Sequence, residues 1–163
     1  MGLLLALEPL WGLSHSAVAG DPTAVHTPIL LTVAGKIAAA GETAQFDRSR
    51  LESLGMHHLK THTYWTDGVQ DFEGVLLRDL LRAVGSRGKV GVMEALNDYS
   101  VEIPLSDAAF YDVLIALKRN GRDLRIRDRG PLWLVYPIDG HPELDRRATA
   151  DKMIWHLSRI NIQ

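Results

Sequence analysis

The chain has 163 residues, a formal net charge of −2 and no cysteine. This length suits a single domain that buries a sizeable core. The slight negative charge argues against a nucleic-acid partner, because phosphate binding needs an excess of basic surface. Without cysteine, this sequence cannot supply disulfides, thiolate nucleophiles, zinc–thiolate sites or ligands for iron–sulfur clusters.

The N-terminal residues carry the longest apolar stretch, residues 1–7, which is far shorter than the ~20 residues of a transmembrane helix. Ala17-Val18-Ala19 has the small-x-small pattern of a signal-peptidase site. Glu8 and the lack of a preceding basic residue count against a signal. We predict that residues 1–24 are a signal peptide of a periplasmic or otherwise exported protein. The alternative is an N-terminal arm of a cytoplasmic protein.

The remaining residues, 25–163, have the pattern of one folded domain. Apolar alternation and aromatic-rich runs predict strands, and helical spacing of apolar residues predicts short helices. In chain order, we predict a strand at 29–34, a helix capped by Asp47, a strand at 59–66, a helix at 76–84, a hairpin of 90–95 and 99–103, a helix at 106–119, strands at 124–127 and 132–136, and a last strand at 157–162.

The third predicted helix rests on an apolar stripe that includes Phe110, Val113 and Leu117, with Asn120-Gly121 as its stop. Hairpins outnumber strand–helix–strand units in this order. The pattern therefore predicts the α+β class, with mixed sheets and short helices at their sides.

A protein metal site is not predicted. In an extended chain, His58 and His62 lie about 13 Å apart, which is too far for both to ligate one ion. The sequence also lacks a Gly-x-Ser-x-Gly nucleophile elbow, and Gly85–Lys89 lacks the spacing of a phosphate-binding loop. No catalytic residue is assigned from these motifs.

Three segments place polar and aromatic side chains where strands meet loops, which is where a scaffold usually displays ligand contacts. The candidate ligand-binding residues are Thr63, Trp65, Asn97, Asp98, Tyr99, Asp128, Arg129 and Trp133. A flat heterocycle could stack on indole or phenol rings while a carboxylate accepts hydrogen bonds from its amino edge.

Within this set, Trp65 and Trp133 are the predicted aromatic walls. Asp98, together with Asn97 or Asp128, is the predicted partner of the amino edge, and Tyr99 and Arg129 would complete the pocket. In the alternative interpretation, Trp133 and Tyr99 belong to the core and Arg129 faces water.

Four motifs in order resemble the sulfite-oxidase-type molybdopterin-binding domain. They are Phe72–Leu81 (FEGVLLRDLL), Asn97–Pro104 (NDYSVEIP), Asn120–Pro137, and Lys152–Ile162 with its opening KMIW. The resemblance covers residues 29–162 and implies the sulfite-oxidase-like fold with a pterin as ligand.

The chain also departs from the enzymes that it resembles. These enzymes ligate molybdenum through a cysteine before the first motif, where this chain has Lys60–Trp65. A hydroxyl or a carboxylate could replace that thiolate. Trp133 stands where the enzymes often carry arginine. Thr63–Thr66 and Arg127–Pro137 are more similar to small stand-alone versions, which look like exported pterin-binding proteins without redox chemistry.

Some of those stand-alone versions are linked to membrane-bound cyclic-di-GMP signalling proteins. The resemblance therefore implies a non-catalytic, exported protein that binds a pterin without molybdenum and reports it to a membrane signalling partner. Two alternatives stay open. One is a molybdopterin-dependent oxidoreductase without a cysteine ligand, and the other is an interaction module whose pocket has closed.

Overall fold

The computed structural model of the chain describes residues 27–38 and 43–163, so the predicted signal peptide lies outside the described residues. In chain order, the elements are β1 (Leu31–Gly35), β2 (Thr43–Phe46), α1 (Arg48–Glu52), β3 (His57–Thr61), β4 (Gln70–Leu76), α2 (Leu77–Ala83), β5 (Val90–Ala95), β6 (Ser100–Pro104), α3 (Asp107–Phe110), β7 (Leu114–Arg119), β8 (Arg122–Asp123), β9 (Trp133–Val135), α4 (Arg147–Ala150) and β10 (Leu157–Ile162). None of the helices in these ranges is long and apolar enough to cross a membrane.

The strands form two sheets, of which the first is mixed and the second is antiparallel throughout. The first has the order β2-β1-β10-β5-β6, in which β1 and β10 are parallel and the other neighbours are antiparallel. The second has the order β3-β4-β7-β8, and β9 also pairs with β7. Short helices lie between the strands in the sequence. This architecture confirms the predicted α+β class with mixed sheets and short helices.

Several predicted elements are confirmed. Asp47 caps α1, where its Oδ1 accepts a hydrogen bond of 2.8 Å from the Arg50 backbone N–H. Helix α2, the β5–β6 hairpin, β9 and β10 lie where the sequence pattern puts them. Strand β4 was not predicted, and the strand predicted for 124–127 is wrong, because β8 covers only Arg122–Asp123 and Ile126–Asp128 form a 3-10 turn.

The helix predicted for residues 106–119 is wrong after its first turn. Tyr111 leaves the helical region with φ −127° and ψ 152°, and β7 follows. Leu114–Leu117 are fully buried on both faces of β7, between β4 on one side and β9 and β8 on the other. A strand that is buried on both faces consists of consecutive apolar residues. Any such run also contains the i, i+3, i+4 spacing of an apolar helix face, so the pattern alone does not separate the two.

At Gly74, the backbone of β4 closely approaches the central strand β7. A Cβ at this position would meet the carbonyl oxygen of Ile115 and come within 2.7 Å of the Ala116 Cα. Since backbone atoms cannot move aside easily, we expect Gly74→Ala to lower the free energy of unfolding by about 1–3 kcal/mol in urea denaturation.

Gly140→Ala is the matched control, because a Cβ there meets nothing within 4 Å in the described part of the chain. It should change the free energy of unfolding by less than about 0.5 kcal/mol. Equal stability of the two variants would contradict the close approach of β4 to β7.

Candidate functional site

A cleft of about 310 Å³ opens where the loop after β3, the β5–β6 turn and the segment from α4 to β10 meet. Its size is at the lower end of small-molecule sites, which are mostly apolar with a few polar groups. The lining residues are Trp65, Asn97, Tyr99, Ala150, Asp151, Met153, Ile154 and Trp155.

Two indole rings form the aromatic side of the cleft. Trp65 and Trp155 pack edge to face, with their ring centroids 5.0 Å apart at 81°. Trp133 lies 6.3 Å from each of them, and its other side packs against Phe72 at 5.4 Å. Trp133 is fully buried, whereas Trp65 and Trp155 are only partly buried. Of these three indole rings, Trp65 and Trp155 therefore carry the accessible surface.

Trp133 supports the cleft from the core. Its Nε1–H donates a hydrogen bond of 3.1 Å to the Met153 carbonyl oxygen, and the Leu134 N–H donates one of 2.9 Å to the Ile154 carbonyl oxygen. These bonds fix the segment that forms the cleft floor. The structure thus puts Trp133 where the alternative interpretation of the sequence had it, behind the wall.

Arg129 contacts the same aromatic cluster. It has φ 70°, in the left-handed region, and its guanidinium lies 5.4 Å from the Trp133 ring centroid and 5.5 Å from that of Trp155. A guanidinium at this distance from a ring face is attracted by the π system. Arg129 therefore stabilises the orientation of Trp155 and does not line the cleft.

The polar groups of the cleft come from the β5–β6 turn and the end of α4. Asn97 Oδ1 accepts a hydrogen bond of 3.4 Å from the Tyr99 N–H, and the Tyr99 hydroxyl donates one of 3.3 Å to the Asp151 carbonyl oxygen. Within the described residues, the Asp151 carboxylate has no ion pair. Asp98, with φ 64°, forms the turn and does not line the cleft.

A neighbouring polar cluster keeps Lys152 away from the Asp151 carboxylate. Asp107 Oδ2 accepts hydrogen bonds of 2.8 Å from both the Lys152 ammonium and the Tyr136 hydroxyl. Burial, and then the charge of Asp107, raise the pKa of Tyr136 well above its usual value, so this hydroxyl stays protonated and donates. Lys152, the cation next to Asp151 in the sequence, is therefore paired elsewhere.

Thr63 shapes the loop that carries Trp65. This threonine is almost fully buried, and its Oγ1 accepts a hydrogen bond of 3.2 Å from the Trp65 N–H and bonds Thr66 Oγ1 at 2.9 Å. Thr63 therefore contributes to the site by positioning Trp65.

The same loop is tied to the segment after β9. His62 bonds Asp139 through its backbone N–H and its ring, and the Tyr64 hydroxyl donates a hydrogen bond of 2.6 Å to Asp145. The side-chain hydrogen bond from His62 is the main cause that lowers the pKa of Asp139. These contacts hold the loop in place from outside the cleft.

Asp128 belongs to a different part of the surface. It accepts a hydrogen bond of 2.6 Å from Arg125 and lines a separate groove. Of the predicted site residues, the structure thus brings Trp65, Asn97 and Tyr99 into the cleft and leaves Asp98 and Asp128 off its lining. The sequence analysis missed Asp151 and Trp155. The KMIW motif was the available signal, because it contains Trp155 and directly follows Asp151.

The described residues contain no group of three histidine, cysteine, aspartate or glutamate side chains that could hold a metal ion. His58 and His62, which were weighed as ligands, pair instead with Asp71 and Asp139.

Comparison with solved structures shows the fold. The crystal structure of the sulfane dehydrogenase SoxCD from Paracoccus pantotrophus matches with a TM-score of 0.61 and 20% sequence identity. The match covers 81% of this chain and 37% of that chain, so this chain spans less than half the length of SoxCD. No curated protein matches the sequence.

A family model described as "Oxidoreductase molybdopterin binding domain" matches residues 37–139, which is more than half of the 163 residues. The match confirms the resemblance drawn from the four motifs. It also corrects the expectation that the protein is not an enzyme. That expectation came from the resemblance to small stand-alone versions without redox chemistry, whereas the family model that matches this chain is that of an oxidoreductase domain. The chain belongs to the oxidoreductase molybdopterin-binding domain family.

Proposed function

We propose that the cleft binds the pterin ring of a molybdopterin-type cofactor and that the chain is the cofactor-binding domain of an oxidoreductase. The observation that carries this proposal is the meeting of Trp65 and Trp155 with Asn97 and with Asp151, which has no ion pair among the described residues, in one cleft. The family match adds the chemical class of the ligand.

The aromatic and apolar lining suits a flat bicyclic ring. Indole rings offer broad surfaces for offset or edge-to-face packing with a second aromatic system. Met153 and Ile154 add an apolar floor that excludes water from the bound ring. This part of the lining would supply most of the binding energy through removal of apolar surface from water.

The polar groups suit the pyrimidine edge of a pterin, which carries an amino group, a ring N–H and a carbonyl. The Asp151 carboxylate accepts hydrogen bonds only, so it matches the amino group and the neighbouring N–H. The Asn97 amide both donates and accepts, so it can pair with the carbonyl side of the ring. Together these two residues would fix the orientation of the ring in the cleft.

The residues present fit the pterin and leave the metal to the cofactor. A molybdopterin cofactor supplies redox chemistry at its metal, and the protein supplies binding, orientation and electrostatics. In this chain, Trp65 and Trp155 would hold the ring, and Asp151 would hold its amino edge. Lys152 stays bound to Asp107 and leaves the Asp151 carboxylate free for the ligand.

Asp151→Asn tests whether this carboxylate binds the amino edge of the pterin. This change keeps the shape of the side chain but replaces a charge-assisted acceptor by a neutral amide, so binding should weaken about 10-fold to 100-fold. The measurement is a fluorescence titration of the purified protein with biopterin. Glu102→Gln, on the exposed face of β6, removes the same charge outside the cleft and should leave the affinity unchanged. Unchanged affinity of Asp151→Asn would exclude this carboxylate as the partner.

Alanine substitutions of Trp65 and Trp133 test whether Trp65 lines the cleft while Trp133 supports it from the core. Trp65→Ala should weaken biopterin binding about 3-fold to 10-fold, the value of one aromatic contact, with a small loss of stability. Trp133→Ala should lower the free energy of unfolding by about 3–5 kcal/mol, because a fully buried indole is lost. Thermal unfolding and the same titration separate the two effects. Equal loss of stability in both variants would show that Trp65 belongs to the core.

Metal analysis of the protein purified from its own host tests the oxidoreductase assignment. We expect one pterin per chain together with molybdenum in nearly equal amount. The metal-free pterin implied by the sequence resemblance would give one pterin and no molybdenum, and that result would contradict the oxidoreductase assignment while leaving the cleft as a pterin site.

We also propose export and a membrane-bound cyclic-di-GMP signalling partner, which rest on the sequence resemblance and on Ala17-Val18-Ala19. Intact mass spectrometry of the protein from its host should show a chain that begins at Gly20. A mass that includes residues 1–19 would contradict cleavage at this site.

A further inference from the structure

A second groove, of about 570 Å³, lies along the β7–β8 hairpin and is lined by residues that the cleft does not use. Its lining includes three arginines, at positions 119, 122 and 125, in a chain whose formal net charge is −2. The groove therefore concentrates positive charge on a protein whose net charge is negative.

Two of these arginines are held directly opposite each other. Arg119 in β7 is the register partner of Arg122 in β8. Side chains directly opposite on an antiparallel pair share one face, with Cβ atoms about 4.5–5.5 Å apart, and like charges in this arrangement are destabilising. An anion between the two guanidinium groups would turn this repulsion into attraction.

The hairpin holds the pair in a fixed geometry. Asn120 and Gly121 have φ values of 51° and 72°, which make the tight two-residue turn that Asn-Gly favours. The Asn120 side chain then ties the turn to β4: Oδ1 accepts a hydrogen bond of 2.9 Å from the Asp71 N–H, and Nδ2 donates one of 2.9 Å to Gln70 Oε1. The arginine backbones are therefore positioned before any ligand arrives.

The carboxylates of the groove already have partners. Asp123 pairs with Arg48 at 2.6 Å, and Asp128 pairs with Arg125 at 2.6 Å. The hydrogen bond from Arg125 is the main cause that lowers the pKa of Asp128, and the charges of Arg127 and Arg119 lower it further. In the described part of the chain, Arg119 and Arg122 have no carboxylate partner of their own.

We propose that this groove binds a soluble phosphate-bearing small molecule, with Arg119 and Arg122 as the two clamping side chains. A guanidinium matches phosphate oxygens with parallel N–H donors. A phosphate group offers at least three acceptor oxygens and more than one negative charge, so it can serve two guanidinium groups at once. A carboxylate has only two oxygens and one charge, which suits the single pairing that Arg125 makes with Asp128.

Isothermal titration calorimetry with inorganic pyrophosphate tests the proposal on the full chain at constant ionic strength. We expect one site per chain for the unchanged protein and an affinity at least 10-fold lower for the double variant Arg119→Gln/Arg122→Gln. Asn120 and Gly121 are kept in this variant, and circular dichroism checks that it is folded.

The double variant Arg82→Gln/Arg87→Gln is the matched control, because it removes two exposed arginine charges outside the groove. It should bind pyrophosphate as the unchanged protein does. Equal loss in the control would show general charge attraction and would overturn the proposal. So would the absence of saturable binding to the unchanged protein, or binding of succinate as tight as that of pyrophosphate.

Discussion

The cleft depends on the hydrogen bonds that join β9 to the segment before β10, among them the buried one from the Trp133 indole N–H to the Met153 carbonyl oxygen and one from the Leu134 N–H to the Ile154 carbonyl oxygen. Trp133 lies in β9 of the second sheet, and Met153 begins the segment that leads into β10 of the first sheet. A buried donor without a partner costs free energy, so the bond from Trp133 helps to hold the segment that leads into β10 against β9. The cleft forms where β9 meets the segment that leads into β10.

Some residues of the site position other side chains, and others line the cleft where they could contact a ligand. The fully buried Trp133 and the guanidinium of Arg129 set the position of Trp155, and Thr63 sets the position of Trp65. These supports leave two partly buried indole rings in the cleft lining, next to Asp151, whose carboxylate has no ion pair within the described residues. Such an arrangement favours a flat ligand with hydrogen-bond donors on one edge, which is the chemistry expected for a member of this family.

The sequence predicted the fold class, and three of its candidate site residues, Trp65, Asn97 and Tyr99, line the cleft. It assigned the buried Trp133 to the wall of the cleft, although it left open that Trp133 belongs to the core. Trp133 lies between Leu132 and Leu134 in a strand that is buried on both faces, and this continuous apolar run already indicated a core position. Asp128 stands three residues after Arg125, a spacing that allows local pairing. For Asp151 the sequence offers only the adjacent KMIW motif, because the role of this residue depends on contacts made in three dimensions.

The error at residues 106–119 also concealed the arginine groove. At the end of a helix, Arg119 would be favourable, since cations stabilise the C-terminal end of the helix dipole. Asn120-Gly121 was then taken as the helix stop, although the same dipeptide is a strong signal for a two-residue hairpin turn. As a hairpin, the chain puts Arg119 opposite Arg122. The local charge repulsion that suggests an anion site thus exists only in the strand topology, and it becomes visible only once β7 is recognised as a strand.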